Sequence, residues 1–165
     1  MRQTLIGMTV LTMAIATSFA WTGAKAEQEH SSKDAQPQSI TLHQEVDFAA
    51  PPERLYEALL DSKQFAALSG APAEISREVG GAFSAFGGHI VGRNVELVRN
   101  KRIVQAWRPV TWSEGVYSIA RFEFKPHGSG TRLVFDHVGF PEGLHDSLAK
   151  GWENHYWALL KKCSR

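Results

Sequence analysis

The chain has 165 residues, 43% of them hydrophobic, with nine Phe and five Trp. This length predicts one domain with at most a short appendage, and the composition supplies an aromatic-rich core. Lys and Arg total 18 and Asp and Glu total 17, with no basic cluster on one face, which excludes the electrostatic footprint of a nucleic-acid-binding protein. The same balance gives no support to electrostatic attachment at a membrane surface.

The first 26 residues have the pattern of a secretory signal peptide. Arg2 gives a positive start, Leu5 to Trp21 is uncharged and mostly apolar, and Ala24-Lys25-Ala26 is a small-x-small cleavage motif. We expect cleavage after Ala26 and a periplasmic or secreted mature protein with no stable membrane span; an uncleaved anchor is the alternative. Residues 27–39 are polar and predict a flexible linker, and residues 40–165 form the folded domain.

The domain opens with a strand followed by two short helices. Apolar and polar residues alternate over Ile40 to Phe48, which predicts a strand with one wet face. Pro51 and Pro52 then mark a helix start, since proline suits the first helical turn. Asp61 or Ser62 caps a second short helix, which ends at Gly70.

Residues 73–139 show short strands separated by glycine-rich turns. Such short connections force antiparallel neighbours and predict a meander. The glycines Gly88 and Gly92 are predicted to mark bends or bulges, and Arg121 and Glu123 to form solvated cross-strand pairs. The predicted strands are Glu74–Val79, Ala82–Phe86, Gly88–Val98, Arg102–Trp107, Val116–Pro126 and Thr131–Gly139.

After Phe140-Pro141 the pattern is helical to the end of the chain, over about six turns. Strands followed by one long amphipathic helix give an α+β order. One stripe of this helix carries Leu144, Leu148, Gly151 or Trp152, His155 and Leu159, and beside it lie Trp152, Tyr156 and Leu160.

These elements carry a family resemblance in their order and motifs. The motifs are Gly80-Gly81-Ala82-Phe83, Gly87-Gly88-His89-Ile90-Val91-Gly92, Val95-Glu96-Leu97-Val98, Trp107-Arg108, Gly130-Thr131-Arg132-Leu133, His137-Val138-Gly139-Phe140-Pro141, Gly151-Trp152 and His155-Tyr156-Trp157. Over about residues 40–162 the chain resembles the START-like, helix-grip superfamily (also called SRPBCC). Within it, the chain is most similar to the branch named after the C-terminal domain of the activator of the 90-kDa heat-shock chaperone ATPase.

The resemblance implies a curved antiparallel sheet of about seven strands that grips the C-terminal helix, with a cavity between them. Members of the superfamily bind lipids or polyketides, catalyse cyclisation, or regulate chaperones, so the fold alone does not define the function. An exported protein would not meet a cytosolic chaperone, so we do not expect the co-chaperone role for this protein.

Several kinds of chemistry are not indicated by the sequence. The glycines between Gly80 and Gly92 match no phosphate-binding motif, and no two histidines and no Cys/His pair have metal-ligand spacing. Asp136 and His137 are adjacent in a strand and point to opposite faces, so they cannot pair in a catalytic triad. We therefore predict no metal and no cofactor. The single cysteine, Cys163, is expected to be a spare thiol, with an interchain bridge or a reactive thiol as the alternatives.

The preferred hypothesis is a non-catalytic carrier or sensor of a small hydrophobic ligand, because aromatic residues exceed what a thin core needs. The predicted ligand-binding residues are Phe65, Phe83, Phe86, Trp107, Tyr117, Phe122, Phe135, His137, Leu148, Trp152 and His155. One alternative is a cyclase or hydratase that uses His137 or His155 as an acid–base group with Tyr117 or Tyr156 as hydrogen-bond donor. Another is an interaction module that docks on an envelope protein in the manner of a chaperone regulator.

Overall fold

A computed structural model of the protein describes residues 41–164. The predicted signal peptide, cleavage site and linker lie outside the described residues. Within the described part, no helix combines the length and apolar character needed to cross a bilayer.

The first strand and the two short helices form as predicted. Strand β1 (Thr41–Phe48) leads through Pro51 into α1 (Pro52–Leu60). Helix α2 (Ser62–Ser69) is capped by the Asp61 carboxylate, which accepts a hydrogen bond of 2.8 Å from the Gln64 backbone N–H. It ends at Gly70, whose φ of +75° is a left-handed conformation that glycine adopts without strain.

Seven antiparallel strands form one sheet, as expected, in the order β1-β7-β6-β5-β4-β3-β2. Consecutive strands from β2 to β7 are neighbours, and β1 returns to pair with β7 along its whole length. The remaining strands are β2 (Glu74–Ile75), β3 (Ala82–Ala85), β4 (Ile90–Val98), β5 (Arg102–Pro109), β6 (Ser118–His127) and β7 (Gly130–Val138).

The strand predicted over Glu74–Val79 is wrong beyond Ile75. The buried Asn94 side chain donates to the carbonyl oxygens of Ser76 (2.7 Å) and Glu78 (3.3 Å), and this arrangement turns the backbone away from the ladder. The register shift in β4 also lies here, between Asn94 and Glu96, and not at Gly92 as predicted.

Gly92 is required for close packing. A Cβ at Gly92 would overlap the Ala106 carbonyl oxygen on the neighbouring strand and lie 2.5 Å from Phe83 Cζ. Gly88, with φ of +91°, lies in the turn before β4 and not inside the strand. The two glycines therefore have different physical roles, and only Gly88 has a backbone conformation that favours glycine.

The outer face of the sheet carries ion pairs, as predicted for Arg121 and Glu123, which contact each other. In register across the strands, Arg102 Nη1 lies 3.6 Å from Glu123 Oε1 and Arg121 Nη1 lies 3.7 Å from Asp136 Oδ2. These pairs are partly exposed, so each contributes little to stability. Asp136 faces outward and His137 is fully buried, which confirms that the two point to opposite sides.

The inner face of the sheet packs on the C-terminal helix. This helix comprises α3 (His145–Gly151), a π-helical segment (Trp152–Trp157), α4 (Ala158–Lys161) and a final 3₁₀ turn (Lys162–Ser164). The sequence predicted one uniform helix directly after Pro141. The observed helix begins four residues after Pro141, and its hydrogen-bond pattern changes along its length. The Trp152 ring lies 4.4 Å from that of Phe135 and 5.7 Å from that of Phe122, measured between centroids.

The π-helical segment changes which side chains are buried. In an α-helix, residues five apart lie about 140° apart around the axis, whereas the wider turn of i→i+5 hydrogen bonding brings them closer to the same face. Trp152 and Trp157 accordingly stack, with centroids 5.7 Å apart and ring planes at 25°. Trp157, which the predicted stripe omits, is buried, and its Nε1 donates to Gln44 Oε1 on β1 at 2.8 Å.

Candidate functional site

A cavity of about 570 Å³ lies between the first half of the C-terminal helix and the sheet. Its floor and walls come from β5, from the turn between β3 and β4, and from the helix face. The lining residues are mostly apolar, with polar side chains among them: Ala71, Phe86, Gly87, His89, Ile90, Trp107, Ser147, Leu148, Gly151, Trp152, His155 and Tyr156. This size and character are typical of a small-molecule site.

Five of the predicted ligand-binding residues line this cavity: Phe86, Trp107, Leu148, Trp152 and His155. His155, predicted to face inward, is exposed and lies at the rim, with its ring 6.1 Å from that of Phe86. The helix stripe therefore identified the correct side of the helix but not the depth of each side chain.

Other predicted residues lie behind the cavity wall. Phe65 packs edge-on against Phe86 (5.0 Å between centroids) and Tyr156 (6.2 Å), and so supports the wall from the core. Phe122 and Phe135 contact the far side of Trp152. Both are fully buried and neither lines the cavity, so they fill the space between sheet and helix.

Phe83 and Tyr117 are misplaced by the prediction. Phe83 is buried beneath Gly92 and lines a different hollow together with Ser62 and Ile75. Tyr117 precedes β6 and is 46% exposed, with the Arg108 guanidinium 5.6 Å from its ring centroid. It is therefore a surface residue and cannot donate a hydrogen bond inside the cavity.

His137 is wholly buried behind the cavity and has a partner at each ring nitrogen. Trp152 Nε1 donates to His137 Nδ1 at 3.0 Å, and His137 Nε2 lies 2.6 Å from Ser118 Oγ. The Ser118 hydroxyl donates to the Trp107 carbonyl oxygen at 2.9 Å, so its oxygen is left to accept from His137 Nε2–H. This chain of donors fixes a neutral imidazole that is protonated at Nε2.

Burial lowers the pKa of His137 from 6.5 to about 4. A second proton at Nδ1 would also face the Trp152 N–H, which is a donor and cannot accept. Of the residues in the acid–base hypothesis, His137 lies behind the wall and Tyr117 lies outside the cavity, whereas His155 at the rim and Tyr156 both line it. The structure does not place His137, a predicted ligand contact, in the cavity lining, because its ring is enclosed by Trp107, Trp152 and Phe140.

The cavity contains one buried hydroxyl, that of Tyr156. Trp107 Nε1 donates to Tyr156 Oη at 3.1 Å, and burial raises the pKa of the phenol, which therefore stays protonated. The sequence placed Tyr156 beside the inner stripe of the helix and named it as an alternative donor for an enzyme, but not among the predicted ligand-binding residues. Its position four residues after Trp152 was the available signal, since both lie on the same helix face.

Gly151 is a second lining residue that the ligand-binding prediction omits. It has helical angles (φ −61°, ψ −45°), and a Cβ built there would meet no other atom within 4 Å. The absence of a side chain at this position therefore contributes open volume to the cavity. The backbone itself does not require glycine here, which separates Gly151 from turn glycines such as Gly88.

Across residues 41–164, no group of three or more His, Cys, Asp or Glu side chains is arranged to hold a metal ion. Cys163 is a buried free thiol near the end of the C-terminal helix, and burial raises its pKa.

A seven-stranded antiparallel sheet packed on a long C-terminal helix, with two short helices after the first strand and a cavity beside the helix, defines a START-like helix-grip protein. Residues 49–164 match the family described as "Activator of Hsp90 ATPase homolog 1-like protein". This match covers most of the chain, and the protein belongs to that family.

Curated relatives and solved structures agree with this assignment. The chain is 36% identical over 114 residues to an uncharacterized Schizosaccharomyces pombe protein, covering 69% of this chain and 34% of that one. It is 30% identical over 123 residues to the mouse activator of 90 kDa heat shock protein ATPase homolog 2, covering 74% and 37%. An HSP90 activator from Plasmodium falciparum superimposes with a TM-score of 0.68 at 29% identity, covering 72% of this chain and 91% of that one.

The chain spans about a third of the length of the curated relatives it matches. Its homologues are Hsp90 ATPase activator-like, and the resemblance stated from the sequence is confirmed.

Proposed function

We propose that the protein binds a small hydrophobic ligand in the cavity beside the C-terminal helix and acts as a carrier or sensor without catalysis. The observation that supports this is the cavity itself: about 570 Å³, walled by Phe86, Trp107 and Trp152. Among the described residues, none of those lining it is Asp, Glu, Lys or Arg. Apolar walls with few polar groups favour hydrophobic ligands, because burying their apolar surface away from water is favourable.

The first test uses protein purified from its own host. Native mass spectrometry and solvent extraction should recover a bound small molecule, and a hydrophobic library should contain compounds that raise the unfolding temperature.

A matched pair of variants locates the binding. Gly151→Leu adds a side chain into the cavity where nothing obstructs it, and should abolish the ligand-induced shift. Ala158→Leu adds the same side chain at an exposed position of the same helix and should leave the shift unchanged. No recovered ligand together with equal library responses from wild type and Gly151→Leu would exclude the proposal.

A second candidate is a protein-interaction module that resembles a chaperone regulator. The names of the relatives favour it: the mouse relative and the P. falciparum structure are both described as activators of the 90-kDa heat-shock protein or its ATPase. The chain matches only about a third of the length of the curated relatives, so activation of the chaperone ATPase is a proposal for this protein.

Two measurements test the second candidate. Purified protein is added to a 90-kDa heat-shock chaperone, and ATP hydrolysis is followed with and without it; stimulation supports the candidate, and unchanged turnover with no measurable binding contradicts it. N-terminal sequencing of protein from its own host then tests the proposed export. A mature chain that starts after Ala26 would favour an envelope protein as partner, whereas an intact N-terminus would favour a cytosolic one.

A further inference from the structure

The hydroxyl proton of Tyr156 lacks an acceptor among the residues that the structure describes. The side chain is only 6% exposed and lines the cavity. Its one hydrogen bond uses the oxygen as acceptor, because the Trp107 indole N–H is a donor and has no lone pair to offer in return. The Tyr156 O–H is thus left as a buried donor at the cavity wall.

A buried donor without an acceptor is unfavourable, so a ligand that supplies an acceptor binds more tightly than one that does not. The same oxygen is held in place by Trp107, which fixes where that acceptor must lie. Polar groups of this kind orient a ligand in a cavity that is otherwise apolar.

The acceptor belongs to an uncharged group. No Asp, Glu, Lys or Arg side chain lines the cavity within the described chain, and the raised pKa of Tyr156 keeps the phenol neutral. A carboxylate or phosphate placed here would lose its hydration without gaining a counter-charge. A carbonyl oxygen accepts a hydrogen bond at far smaller desolvation cost.

The walls favour a flat ring system. Trp107 and Trp152, with ring centroids 5.1 Å apart, line the cavity together with Phe86, which packs edge-on against Tyr156 at 5.2 Å. Flat aromatic rings pack favourably against such walls, offset-stacked or edge to face. Gly151 leaves space beside Trp152 that any larger residue would fill. Polar side chains occur at the exposed rim, namely His89, Ser147 and His155.

We propose that the ligand class is a neutral, flat aromatic carbonyl compound whose oxygen accepts a hydrogen bond from Tyr156. This inference rests on the proposed ligand-binding function and adds the chemical class of the ligand group that is buried against Tyr156. Substituents at the opposite end of such a ligand would reach the rim and meet water or the rim side chains.

The test uses two probes of the same shape, 9-fluorenone and fluorene, which differ in the carbonyl group. Binding is measured by quenching of tryptophan fluorescence, since Trp107 and Trp152 line the cavity. Wild type should bind fluorenone about 2- to 12-fold more tightly than Tyr156→Phe does, the range expected for one net hydrogen bond. Fluorene affinity should be the same for both proteins within about twofold. Tyr117→Phe is the matched control, because it removes the same hydroxyl from an exposed ring and should change neither affinity.

Tyr156→Phe also removes the acceptor of Trp107, so its folding is checked by circular dichroism and thermal unfolding. An independent readout uses wild type alone: the infrared carbonyl stretch of bound fluorenone should move to lower frequency than in an apolar solvent. Equal affinities of wild type and Tyr156→Phe for fluorenone, or an unshifted carbonyl band, would overturn the carbonyl inference while leaving ligand binding intact. Failure of both probes to bind, together with a silent hydrophobic library, would overturn both proposals.

Discussion

Acid should destabilise this protein through His137. The ring is wholly buried, both of its nitrogens are occupied, and burial lowers its pKa from 6.5 to about 4. As the pH falls, His137 is therefore protonated near pH 6.5 in the unfolded chain but only near pH 4 in the folded protein. Stability from this group is complete above pH 6.5 and is lost as the pH falls through that window.

The size of the loss follows from the difference in proton binding. Between pH 8 and pH 5, the linkage relation gives a loss of about 2 kcal/mol, and at pH 4 the loss reaches about 3 kcal/mol. These amounts are a large fraction of the stability of a typical domain, so the effect is measurable by urea unfolding.

The assay compares wild type with His137→Gln, which keeps a donor and an acceptor but does not titrate in this range. Free energies of unfolding are measured from pH 8 to pH 4, and the difference between the two proteins should narrow by about 2 kcal/mol between pH 8 and pH 5. His89→Gln, at an exposed position in the turn before β4, is the control and should follow the wild-type profile. Parallel pH profiles for wild type and His137→Gln, or an NMR titration of His137 near pH 6.5, would refute the reasoning.

Three further predictions concern single positions. Gly151→Ala should raise the free energy of unfolding by about 0.5–1 kcal/mol in urea, because the backbone there is helical and the new methyl group meets no atom. Gly92→Ala should lower it by about 1–3 kcal/mol in the same assay, since the Cβ would overlap the Ala106 carbonyl and press on Phe83. Cys163 should react slowly with a thiol reagent in the native protein at neutral pH and quickly in urea, because the thiol is buried and its pKa is raised.

Each of these has a clear contrary result. A destabilised Gly151→Ala would mean that the space beside Trp152 is filled in solution. A Gly92→Ala protein as stable as wild type would mean that the β4–β5 contact is looser than the structure shows. Rapid labelling of Cys163 without denaturant would mean that the last turn of the C-terminal helix opens readily.

The two candidate functions make different demands on the same helix. Ligand binding depends on the face that carries Gly151, Trp152 and Tyr156, whereas docking of another protein would use exposed residues. Gly151→Leu should therefore impair the first function and spare the second. This variant separates the candidates without knowledge of the ligand or the partner.

Regular alternation and capping residues were sufficient to predict the elements at the start of the chain. β1 matches its period-two pattern, and Asp61 caps α2 as its position suggested. The opposite orientation of Asp136 and His137 also follows from the strand period alone. These features depend on neighbours within a few residues, so a single sequence contains the information.

The end of β2 and the irregularity in β4 were not predictable in this way. Both depend on Asn94, whose amide reaches back to Ser76 and Glu78 and accepts from Gln105 Nε2 at 3.0 Å. A side chain that captures carbonyls 16 and 18 residues away leaves no local pattern. Gly88 and Gly92 were the signal of irregularity that the sequence offered, but the register shift lies between Asn94 and Glu96.

The sequence by itself determined that a long aromatic helix closes an antiparallel sheet, because hydrophobic periodicity and the order of motifs are written along the chain. Only the tertiary structure decided which aromatic rings face a cavity and which fill the core. The π-helical turn at Trp152–Trp157 buries Trp157 on β1 and orients Tyr156 toward Trp107. The i→i+5 hydrogen bonding of this segment occurs where the helix packs against the sheet. The helical periodicity of the sequence does not predict it, because that periodicity assumes a regular α-helix.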